Sequence, residues 1–459
     1  MKKIIFLIGI LLAVAASATA GDYSTYYRNL PVSMAEPQLP AIPDNALSLT
    51  EFGAVPDGMT DNTEAFAKAV AALAKQGGGH LVVPAGIWLT GPITLKDHID
   101  LHLERNAMIL LTPDRAVHLK DGKAQPGINA SKRSDISITG EGIIDGNGEW
   151  WRGVKRGKVS DTEWSAFRRM GGTVTQKGDL WYPFNLDHYD NIADTYEAQE
   201  KMRMHLVRFT DCERVLLQGV TLQNSPKFHF VPQRCREVII DGITVRCPWN
   251  AQNGDGIDIS QCKNVLIVNN FVDVGDDGIC MKGGAGAEAL KSGPCENILI
   301  EDNTVFHAHG GFVIGSEFSG GMYSIVVRNN TFSGTDTGLR FKSAPERGGK
   351  TGNIWISDIY MSDIQGEAVV FETAYADRPV GHDDAVAPES QAFLPDFGDI
   401  HIARVTCRDC RIGVRASGTL RMIHDITLED CLFFYTEEAS RIDDPGMIRF
   451  HHVQFETYR

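Results

Sequence analysis

The sequence predicts an all-β fold, a single-stranded, right-handed parallel β-helix with a helix that caps its N-terminal end. Three observations support this fold class. A segment of alternating aliphatic residues recurs along most of the 459-residue chain. Each copy continues through an Asn, Asp or Gly turn into a second alternating segment. Helical periodicity is absent between the copies, which disfavours a barrel or a sheet with helices on its faces.

The spacing of this imperfect repeat indicates the architecture. Successive copies are 23 to 46 residues apart, and an earlier copy begins at Ile136. A unit of this size cannot bury its own apolar face, so it must stack on copies of itself. A β-propeller is the alternative, but its blades need about 40–45 residues each. The first aliphatic residues of the later copies are Val215, Val238, Val265, Ile298, Ile325, Ile354, Ile400 and Ile426.

A single helical pattern precedes the repeats and predicts the cap. Asp61 is expected to be the N-cap residue, and Glu64 would complete a capping box. Apolar residues follow at helical spacing, and three glycines at residues 77–79 end the pattern.

The chain divides into a short leader region and one long domain. Residues 1–20 combine a basic start, an apolar run and a small-residue cleavage site, which predicts a signal peptide. Residues 21–47 are Pro-rich and predict an extended leader, and residues 48–459 form the predicted catalytic β-helix domain. Residues 146–204 interrupt the repeat and are rich in Trp, so we expect an insertion that forms part of the cleft wall.

Charge and export signals limit the possible partners. The formal net charge is −15, which argues against nucleic acid and anionic membranes as ligands. An anionic sugar polymer remains compatible with this charge if a local basic patch holds its carboxylates. The signal peptide predicts a periplasmic or extracellular protein, which we expect to be a monomer without membrane insertion once the peptide is removed.

The cysteines follow the repeat. Of the nine in the chain, four stand three residues before the first aliphatic residue of a copy. In stacked coils they would form a ladder of buried small side chains, with or without disulfides. These four are Cys212, Cys235, Cys262 and Cys295, and we interpret the pair Cys407 and Cys410 as structural as well.

Four consecutive second segments bring charged residues into register. Each segment has a glycine at its third position, and the residues on either side of it align when the coils are stacked. Asp276, His309 and Asp336 then share one column, and Asp255 and Asp277 share the next. Apolar residues alternate with charged ones, so Asp258, Lys282, Arg340 and Lys342 are expected to point outward, and the three cations among them would supply the basic patch.

Clustered carboxyl groups cannot all ionise at their usual pKa, because the last proton is held more tightly. One protonated carboxyl beside ionised ones is what glycoside hydrolysis requires, with an acid for the leaving oxygen and a base for water. A single Asp before a glycine is usually a turn former. Asp255, Asp276 and Asp277 next to His309 and a basic patch instead predict a catalytic centre.

The ordered motifs resemble those of glycoside hydrolase family 28, the polygalacturonases. The motifs of that family, Asn-x-Asp, Asp-Asp, Gly-His-Gly and Arg-x-Lys, correspond here to residues 253–255, 276–277, 309–310 and 340–342. The resemblance extends from about residue 48 to the C-terminus. The third motif departs from the family pattern, because Ala308 replaces its first glycine.

The resemblance implies an inverting, metal-free and cofactor-free hydrolase of pectic polysaccharide or oligogalacturonide. Asp276 would be the general acid, and Asp255 and Asp277 would activate water. The resemblance also implies that His309 would tune the acid, that Arg340 and Lys342 would bind the substrate carboxylate, and that Asn253 would support the site. Tyr375 matches a substrate-contacting Tyr of the family. By register, His229 faces the same groove, where it would contact substrate or serve a structural role.

Other functions of the same fold remain open. A calcium-dependent pectate lyase would use acids to hold the metal and an Arg as base, and a non-catalytic solenoid would bind pectin only. Rhamnogalacturonan or substituted pectin are alternative substrates. We expect exo action, because the insertion at residues 146–204 could close one end of the groove.

Overall fold

A computed structural model of the protein describes residues 21–175, 177–183, 202–375 and 392–458. The chain winds into the predicted right-handed parallel β-helix, and each coil contributes strands to three faces. The predicted signal peptide, residues 1–20, lies outside the described residues, as does part of the predicted insertion. Within the described ranges, no helix is long and apolar enough to cross a membrane.

The three faces are parallel sheets, defined by which strands pair. The first face contains Ala46–Ser48, Gly79–Val83, Ile99–Leu103, Ser134–Gly140, Glu213–Gln218, Arg236–Asp241, Lys263–Val268, Cys295–Glu301, Met322–Ser333, Thr351–Ser362, Ile400–Ser417, Ile426–Glu429 and Ile448–His451. The second face contains Gly86–Thr90, Ala107–Leu111, Ile143–Asp145, Thr221–Gln223, Thr244–Arg246, Phe271–Asp273, Thr304–Phe306, Leu432–Ile442 and Gln454–Thr457, joined by the ends of Met322–Ser333 and Thr351–Ser362 and by the middle of Ile400–Ser417. The third face contains Ile93–Thr94, Ile128–Ser131, Val207–Thr210, Phe230–Gln233, Ile257–Ser260, Asp277–Lys282, Gly310–Gly315, Leu339–Lys342 and Glu367–Glu372.

The register of the first face is the one that the repeat predicts. Val215 pairs with Val238, Val238 with Val265, and Val265 with Ile298. The same column continues through Ile325, Ile354, Ile400 and Ile426. All eight side chains are buried, because period-2 alternation places one side of each strand inside the solenoid. The predicted fold class is therefore confirmed.

Asparagines stabilise the turns between the first and second faces. The side-chain amide of Asn270 donates to Asn303 Oδ1 at 2.9 Å, and that of Asn303 donates to Asn330 Oδ1 at 2.9 Å. The backbone N–H groups of Asn270 and Asn303 donate to the same two oxygens. All three residues are buried. This ladder satisfies polar groups that the turns would otherwise leave unpaired in the interior.

The cysteine ladder is present as predicted. Cys212, Cys235, Cys262 and Cys295 are buried on successive coils and unpaired by disulfides. The backbone N–H of Cys235 lies 3.4 Å from the sulfur of Cys262. Burial raises the pKa of the Cys235 and Cys295 thiols, which is the behaviour of small hydrophobic side chains rather than of reactive nucleophiles.

The N-terminal cap is helix α1, Thr63–Lys75, and one detail of its prediction is wrong. The N-cap residue is Asn62 rather than Asp61. Asp61 instead accepts hydrogen bonds from the backbone N–H and the hydroxyl of Thr63. Asn62 is buried and binds the backbone of residue 55, so tertiary contacts fix the start of the helix one residue later than the local pattern indicates. The buried face of α1 covers the open end of the core.

The leader is bound along the outside of the first face. It begins with a 3₁₀ turn, Tyr23–Tyr27, and Tyr23 is 4% exposed with its hydroxyl 2.9 Å from Asp241 Oδ2. The backbone oxygen of Tyr26 accepts from Arg328 at 2.9 Å. Under this segment lies an outward apolar patch that would otherwise face water, formed by Leu216, Ile239, Leu266, Val268, Leu299 and Val326.

The described part of the segment from 146 to 204 forms secondary-structure elements outside the three faces of the solenoid. It contains the 3₁₀ turns Gly148–Trp150 and Arg156–Lys158, helix α2, Asp161–Arg169, and an antiparallel sheet of Val154–Lys155, Thr173–Val174 and Leu180–Tyr182. Trp164 and Trp181 form its small apolar core. The remaining elements in the described ranges are the 3₁₀ turn Leu49–Phe52, the hairpin Leu119–Lys120 with Lys123–Ala124, and helix α3, Gly286–Ser292.

Candidate active site

The predicted site residues meet on the third face, where each coil turns into its strand. Asp277 is the first residue of its strand and lies beside Gly310 of the next coil. Asp276 precedes it in the turn, and its backbone oxygen accepts from the N–H of His309 at 2.8 Å. Asp255 stands two residues before the strand Ile257–Ser260, next to the same turn. The predicted columns of Asp276 with His309 and of Asp255 with Asp277 therefore exist.

Glycines allow the coils to approach each other here. A Cβ atom on Gly311 would lie 2.3 Å from a ring carbon of Phe332, and one on Gly256 would lie 2.6 Å from the backbone oxygen of Gly278. Neither position has room for a side chain. The glycine at the third position of these segments thus reflects close packing under the site.

A cleft of about 440 Å³ opens over this turn, a volume within the usual range for small-ligand pockets. Seven of the nine predicted site residues line it: Asn253, Asp255, Asp276, Asp277, His309, Lys342 and Tyr375. Arg340 stands beside Lys342 with 16% of its side chain exposed. His229 is the exception.

Three cations surround the carboxylate of Asp277. Lys342 Nζ donates to its two oxygens at 3.1 and 2.8 Å. Arg340 Nη1 is 3.6 Å from Oδ1, and Lys282 Nζ is 3.8 Å from Oδ2. Burial raises the pKa of Asp277, but these positive charges outweigh it, so the pKa is lowered overall. Asp277 is therefore ionised.

Both contacts that position the Asp276 carboxyl are made by one of its oxygens, Oδ1. Its Oδ1 accepts from the N–H of Asp277 at 3.0 Å and lies 3.0 Å from His309 Nδ1. Burial raises the pKa of Asp276, but His309, Lys342 and Lys158 lower it by a larger amount. Without substrate, this carboxyl also gives up its proton readily.

Asp255 holds its proton most strongly. It is 2% exposed, and its Oδ1 has no hydrogen bond to any described residue. Burial raises the pKa of Asp255 far above its usual range, and the nearby Asp276, Asp258 and Asp277 raise it further. The cluster thus contains carboxyls with opposite pKa shifts, a pattern typical of acid–base sites.

Tyr375 packs against the basic patch. The centre of its ring lies 5.3 Å from the guanidinium carbon of Arg340 and 4.9 Å from Lys342 Nζ. Arg347 lies at 5.6 Å and donates to the backbone oxygen of Tyr375 at 2.7 Å. Such cation–π contacts orient the two cations toward the cleft.

The prediction for His229 is wrong. Its side chain is fully buried, and Nδ1 donates to the backbone oxygen of Asp255 at 2.8 Å. Its Nε2 accepts from the N–H of Ser225 at 3.3 Å, and burial lowers the pKa of the ring to about 4. His229 therefore faces the interior and fixes the backbone beneath Asp255. Asn253 lies in the cleft wall, where its Oδ1 accepts from Arg203 at 2.7 Å.

Two residues of the site were not predicted as functional. Asp258 lines the cleft and is 1% exposed; its outward column in the repeat was the available signal. Lys158, from the inserted segment, lies 2.6 Å from His309 Nε2. The repeat could not reveal Lys158, because the insertion lies outside its register.

Asp258→Asn should stabilise the protein above pH 6. Both oxygens of Asp258 are buried without a hydrogen bond to any described residue, and burial raises its pKa to about 6. Because the folded-state pKa exceeds that of the unfolded chain, stability falls as pH rises from about 4 to about 6. The free energy of unfolding should rise in the variant by on the order of 2 kcal/mol at pH 7 and change little at pH 4.

The control for Asp258→Asn is Asp121→Asn, which removes an exposed carboxylate from a turn. Denaturant unfolding at both pH values measures the effect. Equal stability changes at the two pH values, or a loss of stability at pH 7, would show that Asp258 is ionised and compensated in the fold.

Asp276, Asp277 and His309 offer three potential ligand atoms within 4.8 Å of one another. Asp277 and His309 already have partners, however. Lys342 binds the two oxygens of Asp277, and Lys158 contacts Nε2 of His309. The donor set therefore fits acid–base chemistry better than the binding of a divalent cation.

Comparisons with known proteins agree with this geometry. The exo-poly-alpha-D-galacturonosidase of Dickeya chrysanthemi is 30% identical over 390 residues, covering 80% of this chain and 63% of the relative. The endo-polygalacturonase of Pectobacterium carotovorum is 25% identical over 323 residues, covering 70% of this chain and 71% of the relative. The chain thus spans less than two thirds of the first of these relatives.

Among solved structures, the hyperthermoactive exopolygalacturonase from Thermotoga maritima is similar, with a TM-score of 0.73 and 30% identity. The match covers 92% of this chain and 94% of that one. The sequence model of glycosyl hydrolases family 28 matches residues 76–387, a range that includes the acid cluster, His309, Arg340 and Lys342. On the combined basis of fold, motif order and this match, the chain belongs to glycosyl hydrolases family 28.

Proposed function

We propose that the protein is a polygalacturonase that hydrolyses α-1,4-galacturonosyl linkages in pectin from a chain end. The observation that carries the proposal is the juxtaposition of Asp255, Asp276 and Asp277 with the cations Arg340 and Lys342 in one cleft. The carboxyls supply acid and base, and the cations supply a site for the carboxylate of a uronic acid.

In the proposed reaction, Arg340 and Lys342 bind the carboxylate of the galacturonate beside the scissile bond. Protonated Asp276 gives its proton to the glycosidic oxygen as the bond from that oxygen to the anomeric carbon breaks. A water molecule forms the new bond from the opposite side and loses its proton to Asp277, which its cations keep ionised. Asp255 helps to hold this water. Attack from the opposite side inverts the anomeric centre.

Substrate is expected to prepare the acid for this step. The neighbouring positive charges lower the pKa of Asp276. A bound uronate adds negative charge next to Lys342 and offsets part of that effect. The bound substrate also excludes water from the cleft, and this loss of water favours the neutral form of the Asp276 carboxyl. Asp276 therefore takes up its proton when substrate binds.

The exo mode is supported by two observations. The inserted segment reaches the cleft through Lys155 and Lys158, which fits a wall at one end of the groove. The relatives from Dickeya chrysanthemi and Thermotoga maritima are both named as exo-acting enzymes. We further propose that the protein acts as a monomer, in the periplasm or outside the cell where pectic polymers are met.

Product analysis tests the function. In a digestion of polygalacturonate with excess chelator, we expect early release of mono- or digalacturonate without an ultraviolet-absorbing unsaturated product. A ladder of oligomers would contradict exo action. An unsaturated product that requires calcium would identify a lyase, and cleavage only of rhamnogalacturonan or substituted pectin would identify a different substrate.

A further inference from the structure

Lys158 connects the inserted segment to the acid–histidine pair. It ends the 3₁₀ turn Arg156–Lys158, and its Nζ lies 2.6 Å from His309 Nε2 and 3.2 Å from the backbone oxygen of Gly275. Gly275 directly precedes Asp276. One ammonium group therefore contacts both the histidine and the turn that carries the proposed acid.

The turn that carries Lys158 is itself fixed. Arg156 Nη1 donates to the backbone oxygen of Val159 at 2.9 Å, and its guanidinium forms an ion pair with Asp161. Val159 packs with Trp164 in the core of the inserted segment. Lys158 is thus presented to the cleft by an ordered element rather than by a free side chain.

The hydrogen-bonding capacity of each group determines the tautomer of His309. A lysine ammonium group can only donate, so while Lys158 is protonated, Nε2 of His309 accepts from it and carries no proton. Burial lowers the pKa of Lys158, and the nearby Asp276 and Asp336 favour its charged form. The ring proton then lies on Nδ1, which is 3.0 Å from Asp276 Oδ1. Nδ1 donates to that oxygen. The charged groups facing the ring are Asp276, Lys158 and, 3.8 Å from Nε2, Asp336.

This arrangement assigns different tasks to the two oxygens of Asp276. Oδ1 accepts from His309 Nδ1 and from the N–H of Asp277, so it is used as an acceptor. The proton of the neutral carboxyl is then placed on Oδ2. Without Lys158, Nε2 could bind a proton, and the ring would pair as an imidazolium with an ionised Asp276. That state has no proton to give to a leaving group.

We propose that Lys158 is a positioning residue that holds His309 as the Nδ1–H tautomer and so leaves Asp276 Oδ2 to carry the proton for the leaving oxygen. The inference rests on the proposed glycoside hydrolysis and deepens it. It assigns the inserted segment a role in the chemical step in addition to its place at the cleft wall.

Lys158→Met tests the proposal, because Met is an unbranched side chain only one atom shorter and lacks the ammonium group. On polygalacturonate, we expect kcat to fall by about 10- to 100-fold, KM to stay within about twofold, and the pH profile of kcat to change shape. Lys158→Arg, which retains a donor, should restore most of kcat. Arg169→Met is the control, since it removes an exposed positive charge from the same inserted segment.

Nitrogen NMR of ¹⁵N-histidine-labelled protein gives a readout that does not depend on activity. The His309 signals, identified by their loss in His309→Asn, should show an unprotonated Nε2 in the parent and a protonated Nε2 in Lys158→Met. Unchanged kcat, a defect in KM alone, or the same tautomer in both proteins would overturn the proposal. If the parent cleaves no pectic substrate, the proposed function fails, while the NMR result still decides the tautomer.

Discussion

Asp276→Asn is expected to lower kcat on polygalacturonate by about a thousandfold, while substrate binding persists. The amide cannot give a proton to the leaving oxygen, although it nearly preserves the volume of the carboxyl. It can still accept from the N–H of Asp277 and from His309 Nδ1 through its oxygen. Steady-state kinetics together with calorimetric titration of oligogalacturonide separates the loss of chemistry from the loss of binding.

Asp273→Asn provides a matched control for Asp276→Asn. Asp273 lies on the same coil, and its Oδ1 is 3.0 Å from His307 Nδ1, the same distance as in the Asp276–His309 pair. It lies outside the cleft lining and is partly exposed. We expect this variant to keep the parental kcat. Parental activity in Asp276→Asn would exclude it as the acid, and loss of binding together with kcat would indicate a role in holding substrate.

Arg340→Gln is expected to reduce kcat/KM on polygalacturonate by about 100-fold, which corresponds to about 2.7 kcal/mol. The guanidinium can bind a uronate carboxylate through two donors, and Gln offers a neutral amide instead. Lys342 still binds both oxygens of Asp277 in the variant, so the fold should persist. The preference of the enzyme for polygalacturonate over methyl-esterified polygalacturonate should become smaller in the variant, because the lost interaction requires a charged carboxylate.

The control for Arg340→Gln is Arg404→Gln, which removes an exposed guanidinium paired with Asp358 outside the cleft. This variant should retain the parental activity and the parental preference for polygalacturonate over its methyl-esterified form. Competition between polygalacturonate and its methyl-esterified form measures the preference directly. An unchanged preference in Arg340→Gln would mean that the basic patch recognises something other than the uronate carboxylate.

The fold was predictable because every coil of a solenoid has the same pattern of strands and turns. Alternation from Val215 to Ile426 set the register of the first face, and stacking then dictated which acids would meet. Asp255, Asp276 and Asp277 are separated along the chain but lie on adjacent coils. Once the coils are in register, the site follows from the sequence with few further assumptions.

The residues that were missed or misplaced lie where the repeat gives no information. Lys158 belongs to the inserted segment, whose position over the cleft depends on its own packing. The register placed His229 at the groove, but its side chain is fully buried and bonded to the backbone of Ser225 and Asp255. The order of proton affinities within the acid cluster depends on burial and on nearby cations, which sequence spacing does not encode.

The anomeric form of the first product tests the central claim most directly. Proton NMR recorded in the first moments of an oligogalacturonide digestion, before mutarotation, should show the β-anomer, because the α-linkage is attacked by water from the opposite face. An α-anomer as the first product would show retention through a covalent intermediate. It would contradict the assignment of Asp276 as acid with Asp277 as base for water.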